Sequence, residues 1–153
     1  MELAKLKRYE HKAITVRDGI RLVVLKASYD EAAPVHISLI HTSLSHFKTQ
    51  EDDQYTALSY VWGDNTVTSL VVIDGERLTI TESLANALRD IRHATEPIKI
   101  WVDGICIDQT NRAEKETQVA LMGRIYEMAS NSVVYLGPEA NGSEKVMEEA
   151  RVF

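Results

Sequence analysis

The sequence predicts an α/β domain: a mainly parallel sheet with helices on both faces, plus an amino-terminal β-rich extension and an inserted β-hairpin. Three observations carry this. From residue 55 onward the order reads strand, hairpin, helix, strand, helix, strand, helix, the alternation that parallel sheets require. The runs Tyr55–Trp62 (YTALSYVW) and Ser132–Leu136 (SVVYL) are apolar enough to be buried strands, as strands covered on both faces are. Finally, Ile98, Ile100 and Val102 alternate with Lys99, Trp101 and Asp103 before a polar loop and an amphipathic helix. An acid at the carboxyl end of such a strand is where open α/β sheets place ligands.

The elements follow in order. Residues 1–17 carry little signal. Ile20–Leu25 (IRLVVL) and Val35–His41 (VHISLIH) read as strands separated by a polar linker with Asp30, Glu31 and Pro34, which suits an antiparallel pair. Residues 42–54 are polar, with room for one short helical turn. Tyr55–Trp62 ends at Gly63-Asp64-Asn65. Ser69–Ile73 and Arg77–Ile80 flank Asp74-Gly75, a hairpin signal because both turn positions tolerate positive φ. Thr79 or Thr81 caps the next helix, on which Leu84, Leu88 and Ile91 line one face up to Pro97. The helix after the focal loop spans about Ala113 to Ser130, with Val119, Met122, Ile125, Tyr126 and Ala129 as its buried stripe. Close packing on the sheet would explain Gly123 within it. Gly137 to Gly142 is a loop into a last helix, Ser143–Phe153. That helix ends on Val152 and Phe153, which suggests a piece of a longer protein.

Composition narrows the function classes. The 153 residues suit one domain with a sizeable core, and 44% hydrophobic with 26% charged residues is ordinary for a soluble protein. Acidic residues outnumber basic ones 23 to 17, the formal charge is -6, and no basic block occurs. Nucleic acid is therefore not the expected partner. The single cysteine, Cys106, leaves no intrachain disulfide and suits a reducing compartment. The opening MELAKLKRYEHK lacks the apolar run of a signal peptide, and no apolar stretch approaches the roughly 20 residues that cross a bilayer. A cytoplasmic protein without a membrane span is the expectation.

Three blocks together resemble the fungal heterokaryon-incompatibility (HET) domain. They are Tyr55-Thr-Ala-Leu-Ser-Tyr-Val-Trp-Gly-Asp64, then Leu78-Thr-Ile-Thr with Leu84 and Ala87-Leu88, then Ile100-Trp-Val-Asp-Gly-Ile-Cys-Ile-Asp-Gln109. The third continues through Glu114, Gln118-Val119, Met122, Ile125-Tyr126 and Ala129 to Val133-Val-Tyr-Leu-Gly137. Two departures are visible: Asp108 stands where the family usually has Asn, and Gly104 where it usually has Ala. The resemblance implies a single HET domain over residues 1–153. Its role would be that of a cell-death effector in self/non-self recognition, a homo-oligomer on activation, answering to an incompatibility partner protein. It also implies a distant likeness to TIR domains, flavodoxin-like units that act as oligomerisation modules, as NAD-cleaving enzymes, or both. No cofactor is required on either reading, and NAD is a candidate substrate.

Within that frame the catalytic candidates are Glu114, Asp103 and Glu148, with Glu116 as a rival. A carboxylate would stabilise the ribosyl cation as nicotinamide leaves or orient the attacking water. Glu114 also stands at capping-box spacing from Asn111, a purely structural use. Glu148 lies on the expected last helix, where a TIR-like topology would place its glutamate. Asp103 ends a buried strand, so its charge must be paired or solvated, by loop amides or by a ribose hydroxyl. The ligand-binding candidates are Ser59, Tyr60, Trp62, Gly63, Asp64, Cys106, Gln109 and Gln118. Tyr60 or Trp62 would stack on a ring, Gly63-Asp64 would bring amides near a phosphate, and the glutamines would meet a ligand amide. Core filling and loop bracing are the structural uses of the same side chains. Neither a G-x-G-x-x-G fingerprint nor a P-loop occurs. Cys106, between Ile105 and Ile107, has no histidine near it in sequence and reads as inert packing. No EF-hand loop fits Asp103–Glu114, and the five histidines lack zinc-ligand spacing with the cysteine. No metal site is expected.

Overall fold

The computed structural model describes residues 2–138 and 145–150. A 3-10 turn (Leu3–Lys5) opens the chain, followed by β1 (Gly19–Leu25), β2 (His36–Ser43), α1 (Leu44–Thr49) and β3 (Thr56–Tyr60). The hairpin β4 (Thr68–Ile73) and β5 (Glu76–Thr81) leads into α2 (Glu82–Ile91) and β6 (Ile98–Trp101). Then come α3 (Asp103–Cys106), α4 (Arg112–Met128), β7 (Asn131–Pro138) and β8 (Lys145–Ala150).

The strands form one sheet in the order β5-β4-β2-β1-β6-β3-β7-β8. The class is α/β, as expected, but the sheet is mixed. A parallel block β6-β3-β7 carries the focal strand, and β2 runs parallel to β4. The pairs β1-β2, β1-β6, β4-β5 and β7-β8 are antiparallel. Helices cover both faces. Tyr135 of β7 reaches α2, its hydroxyl 2.5 Å from an Asp90 carboxylate oxygen. On the opposite face Trp101 packs edge-on against Tyr126 of α4, and the Tyr55 hydroxyl donates to Ile125 O at 2.5 Å.

The segment expected to be an extension is sheet interior. β1 is the inner strand joining the hairpin side to the parallel block, and Ile20, Leu22, Val23 and Leu25 are wholly buried. The apolar run IRLVVL needs cover on both faces, which only a central position supplies. The hairpin turn uses Asp74 and Gly75 at φ 49° and 79°, both in the left-handed region that a two-residue turn requires. Thr81, rather than Thr79, caps α2 by accepting from Leu84 N.

Three expectations are corrected. Residues 145–150 form an antiparallel strand on β7, not a helix. Their Glu, Lys, Met and Ala content favours a helix locally, but backbone pairing with the exposed edge of β7 overrides propensity. Gly123 is exposed with open space where a Cβ would stand, so close packing does not explain it. On α4 Ile125 is buried as expected, but it is Gln118 rather than Val119 that turns inward beside it, Val119 being 51% exposed. Gly137 and Pro138, expected to open a loop, end β7; residues 139–142 of that loop and residues 143–144 and 151–153 of the expected last helix lie outside the described residues.

Candidate functional site

The carboxyl ends of β3 and β6 are adjacent, with Ala57 in register with Trp101. This brings Tyr60 and Trp62 beside Asp103 and Gly104. The loop following β6 folds as the single-turn α3 and then Ile107–Asn111, and it has two sides with opposite character.

The inner side is built on Arg21. Its side chain is fully buried in β1, and a buried guanidinium requires a counter-charge and acceptors. Glu114 supplies the charge, accepting from Arg21 Nη2 at 2.5 Å and Nη1 at 2.9 Å. Arg21 also donates to Cys106 O at 2.9 Å and Lys12 O at 2.7 Å. The Asp108 amide donates to the same Glu114 carboxylate at 2.6 Å. Both Glu114 oxygens are thus engaged, and the Arg21–Glu114 pair ties together the amino-terminal segment, β1, the loop and α4. The helix start is capped by Asn111, whose side chain accepts from Glu114 N. Glu114 does not complete a capping box, because its carboxylate goes to Arg21. Burial raises the Glu114 carboxyl, but hydrogen bonds from Arg21 and Asp108 outweigh it and leave the group below its ordinary value.

Asp103, on the outer side, is half-buried at the α3 start, where it accepts from backbone amides, Gly104 N among them. Burial dominates and pushes this carboxyl above its ordinary value. The Tyr60 and Tyr126 hydroxyls are its electrostatic neighbours, and burial raises both phenols. Tyr60 stacks on Trp62 with ring centroids 5.9 Å apart and an interplanar angle of 13°, and Trp62 remains 42% exposed. Gly104 makes this packing fit: a Cβ there would meet the Tyr60 hydroxyl at 2.5 Å and Leu84 Cδ2 at 2.9 Å. A cavity of about 250 Å³ opens here, lined by Tyr60, Trp62, Thr81, Leu84, Gly104 and Gln109.

The remaining sequence candidates separate. Gln109 is exposed, and its side-chain amide donates to Asp103 O at 3.0 Å. Gln118 is buried under β1 and donates to Gly19 O at 2.9 Å, away from the outer cavity. Ser59 is exposed beside the Tyr126 hydroxyl. Gly63 adopts φ 63° in an exposed turn. Asp64 closes on itself, accepting from Thr66 N at 2.9 Å and Thr66 Oγ1 at 2.6 Å. Cys106 is fully buried and its thiol is pushed up to about 12, which leaves no thiolate at neutral pH. Glu116 makes an exposed pair with Arg112 at 3.5 Å. Glu148 sits on the edge strand β8, paired with Val134 and two strands from β3. Among the described residues no three His, Cys, Asp or Glu side chains gather as a metal would need, and no helix is long and apolar enough to cross a membrane.

Sequence reasoning missed Arg21 and Tyr126 as site residues. The signal for Arg21 was a charge inside an apolar strand, IRLVVL. Tyr126 gave none beyond its place in the helical stripe.

Comparison with known proteins agrees with the motif blocks. The chain is 41% identical over 107 residues to heterokaryon incompatibility protein 6, OR allele, of Neurospora crassa. That alignment takes in 61% of this chain and 16% of the relative, so the chain spans only a small part of the curated protein it matches. No solved structure matches the chain. The family model for heterokaryon incompatibility protein (HET) matches residues 55–152, from the start of β3 through β8, and the chain belongs to the HET family.

Proposed function

We propose that this domain is the effector part of a heterokaryon-incompatibility protein, triggering cell death by self-association on recognition of a non-self partner. The observation that carries this is the 41% identity over 107 residues to the Neurospora incompatibility protein. The structure adds an apolar rim at the end of β3, where Val61, Trp62 and Val67 are 54%, 42% and 43% exposed. Such a patch supports a contact surface. The test fuses the domain to an inducible clustering module in fungal cells. Death on clustering is expected, and its loss on Trp62→Lys with Val67→Lys. A folded, clustered domain that leaves cells viable overturns the proposal.

A second reading is favoured by the two aromatics that line the outer cavity and by Asp103, next to Gly104 of its wall: an NAD glycohydrolase active when clustered. The bond from ribose C1′ to the nicotinamide nitrogen would break, and nicotinamide would leave with the bonding electrons. Water would add to the ribosyl cation, passing its proton to Asp103. A carboxylate whose proton affinity is raised by burial suits that base role. Glu114 suits it less, both oxygens being held by Arg21 and the Asp108 amide. Nicotinamide release by the concentrated or clustered domain, abolished by Asp103→Asn, is expected. No release from wild type overturns this reading and leaves the first untouched.

A further inference from the structure

The amino-terminal segment, outside the residues that match the family model, brings an arginine to a second cavity that shares a wall with the outer one. Lys7 to Tyr9 runs parallel to β5 as a one-residue bridge. Arg77 N donates to Lys7 O and Tyr9 N donates to Arg77 O, each at 2.8 Å. The bridge partners are Arg8 and Arg77, so their side chains leave the same face of the pair. Like charges set directly opposite on neighbouring strands repel. Arg77 spends only its Nε–H, on Leu6 O at 2.9 Å. Among the described residues neither arginine meets a carboxylate. Lys7, not an arginine, takes Glu76, at 3.8 Å.

Both arginines line a cavity of about 850 Å³. It shares Thr79, Gly104 and Gln109 as a common wall with the smaller cavity under Trp62. Two carboxylates also stand in its wall. Asp108 is held by Thr110 N and Thr110 Oγ1 and lies 4.0 Å from His11 Nδ1. Glu10 is exposed on the segment beyond Arg8. Along β5, Thr81 at the Trp62 end is four residues from Arg77, about 13 Å at strand spacing. A nucleoside diphosphate separates its base from its terminal phosphate on that scale.

We propose that the two cavities form one cleft for a nucleoside diphosphate group, with its base on Trp62 and its phosphates between Arg8 and Arg77. This rests on the nucleotide reading of the outer cavity given above, and it names the anion subsite of that site. Paired guanidiniums are suited to phosphate because their donor forks meet its oxygens bidentately. The anion relieves the repulsion that the bridge imposes, and an exposed indole offers its face to the base.

The test is titration of the whole chain with ADP, adenosine and inorganic pyrophosphate, read by calorimetry and by tryptophan fluorescence. Trp101 is fully buried, so quenching reports Trp62. ADP is expected to bind and quench, with adenosine and pyrophosphate each at least tenfold weaker. Arg8→Gln should weaken ADP about tenfold or more and leave adenosine unchanged. Among the described residues the exposed Arg8 side chain has no partner, so this variant is expected to keep the fold. Arg112→Gln, on an exposed pair with Glu116, should change nothing. Equal affinity for ADP and adenosine, pyrophosphate binding as tightly as ADP, or an Arg8→Gln protein that binds like wild type would overturn the proposal. ADP binding that depends on Arg8 in a domain that releases no nicotinamide would sustain this inference while the hydrolase reading falls.

Discussion

Glu114 and Asp103 bound the same loop, and the protein treats them in opposite ways. Glu114 faces inward onto a fully buried arginine and receives three hydrogen bonds from Arg21 and the Asp108 amide. Asp103 faces outward, close to two tyrosine hydroxyls and held by helix-start amides; among the described residues it makes no ion pair, and the Lys115 charge acts on it only through space. One carboxylate is stabilised in its charged form and the other is penalised for it. A residue so fully engaged is architecture. Asp103, half-buried next to Gly104 of the cavity wall, has no such clamp among the described residues. The loop is thus a hinge of roles, and the contrast can be broken from either side.

The largest effect is expected from the inner side. Glu114→Ala leaves the Arg21 charge buried without a partner and should cost about 3–5 kcal/mol in urea unfolding at neutral pH. Arg21→Met with Glu114→Leu removes both charges and should recover most of that loss. A Glu114→Ala protein as stable as wild type would place the ion pair outside the architecture. Next comes Gly104→Ala, which forces the Tyr60 hydroxyl and Leu84 apart and should cost about 1–3 kcal/mol. Tyr60→Phe in the same chain should soften it, since the tightest contact is with the hydroxyl.

The pH dependence separates the two acids by sign. Glu114 has its folded pKa below the unfolded one. Its stabilisation is present above the unfolded carboxylate range, about 4.3, and is lost as pH falls through the lowered folded value. Asp103 is raised on folding, so its ionisation opposes folding as pH rises from the unfolded value to the raised one. Glu114→Gln should therefore flatten the acid limb of a stability profile, and Asp103→Asn should steepen it. The smallest effect is at neutral pH: Asp103→Asn should hold stability within about 0.5 kcal/mol of wild type or raise it, while ligand binding or nicotinamide release changes.

Much of this molecule was legible before any coordinates. The hairpin at Asp74-Gly75, a threonine cap on α2 at Thr79 or Thr81, and the strand at Ile98 follow from local signals. Turn chemistry, capping and apolar periodicity act between residues that are near in sequence. The Glu114 pairing was not legible, because Asn111 offered a local explanation and the true partner, Arg21, lies in another strand. Nor was Gln118 under β1, for a polar residue in a helical stripe looks exposed until its acceptor, Gly19 O, is known. The last segment misled for the same reason. Its composition favours a helix, and only the open edge of β7 makes it a strand.

The sequence by itself determined the family, the α/β class and the strand ends at which a site would lie, since these rest on motif order and on interactions within a few residues. The tertiary structure alone decided that the sheet is mixed with β1 at its interior. It also decided that Glu114 neutralises a buried arginine, that Asp103 is the acid left beside the Tyr60 and Tyr126 hydroxyls, and that Arg8 meets Arg77. Each depends on which distant group supplies a charge, a hydrogen bond or a strand edge, and burial makes that choice only once the chain has closed around it.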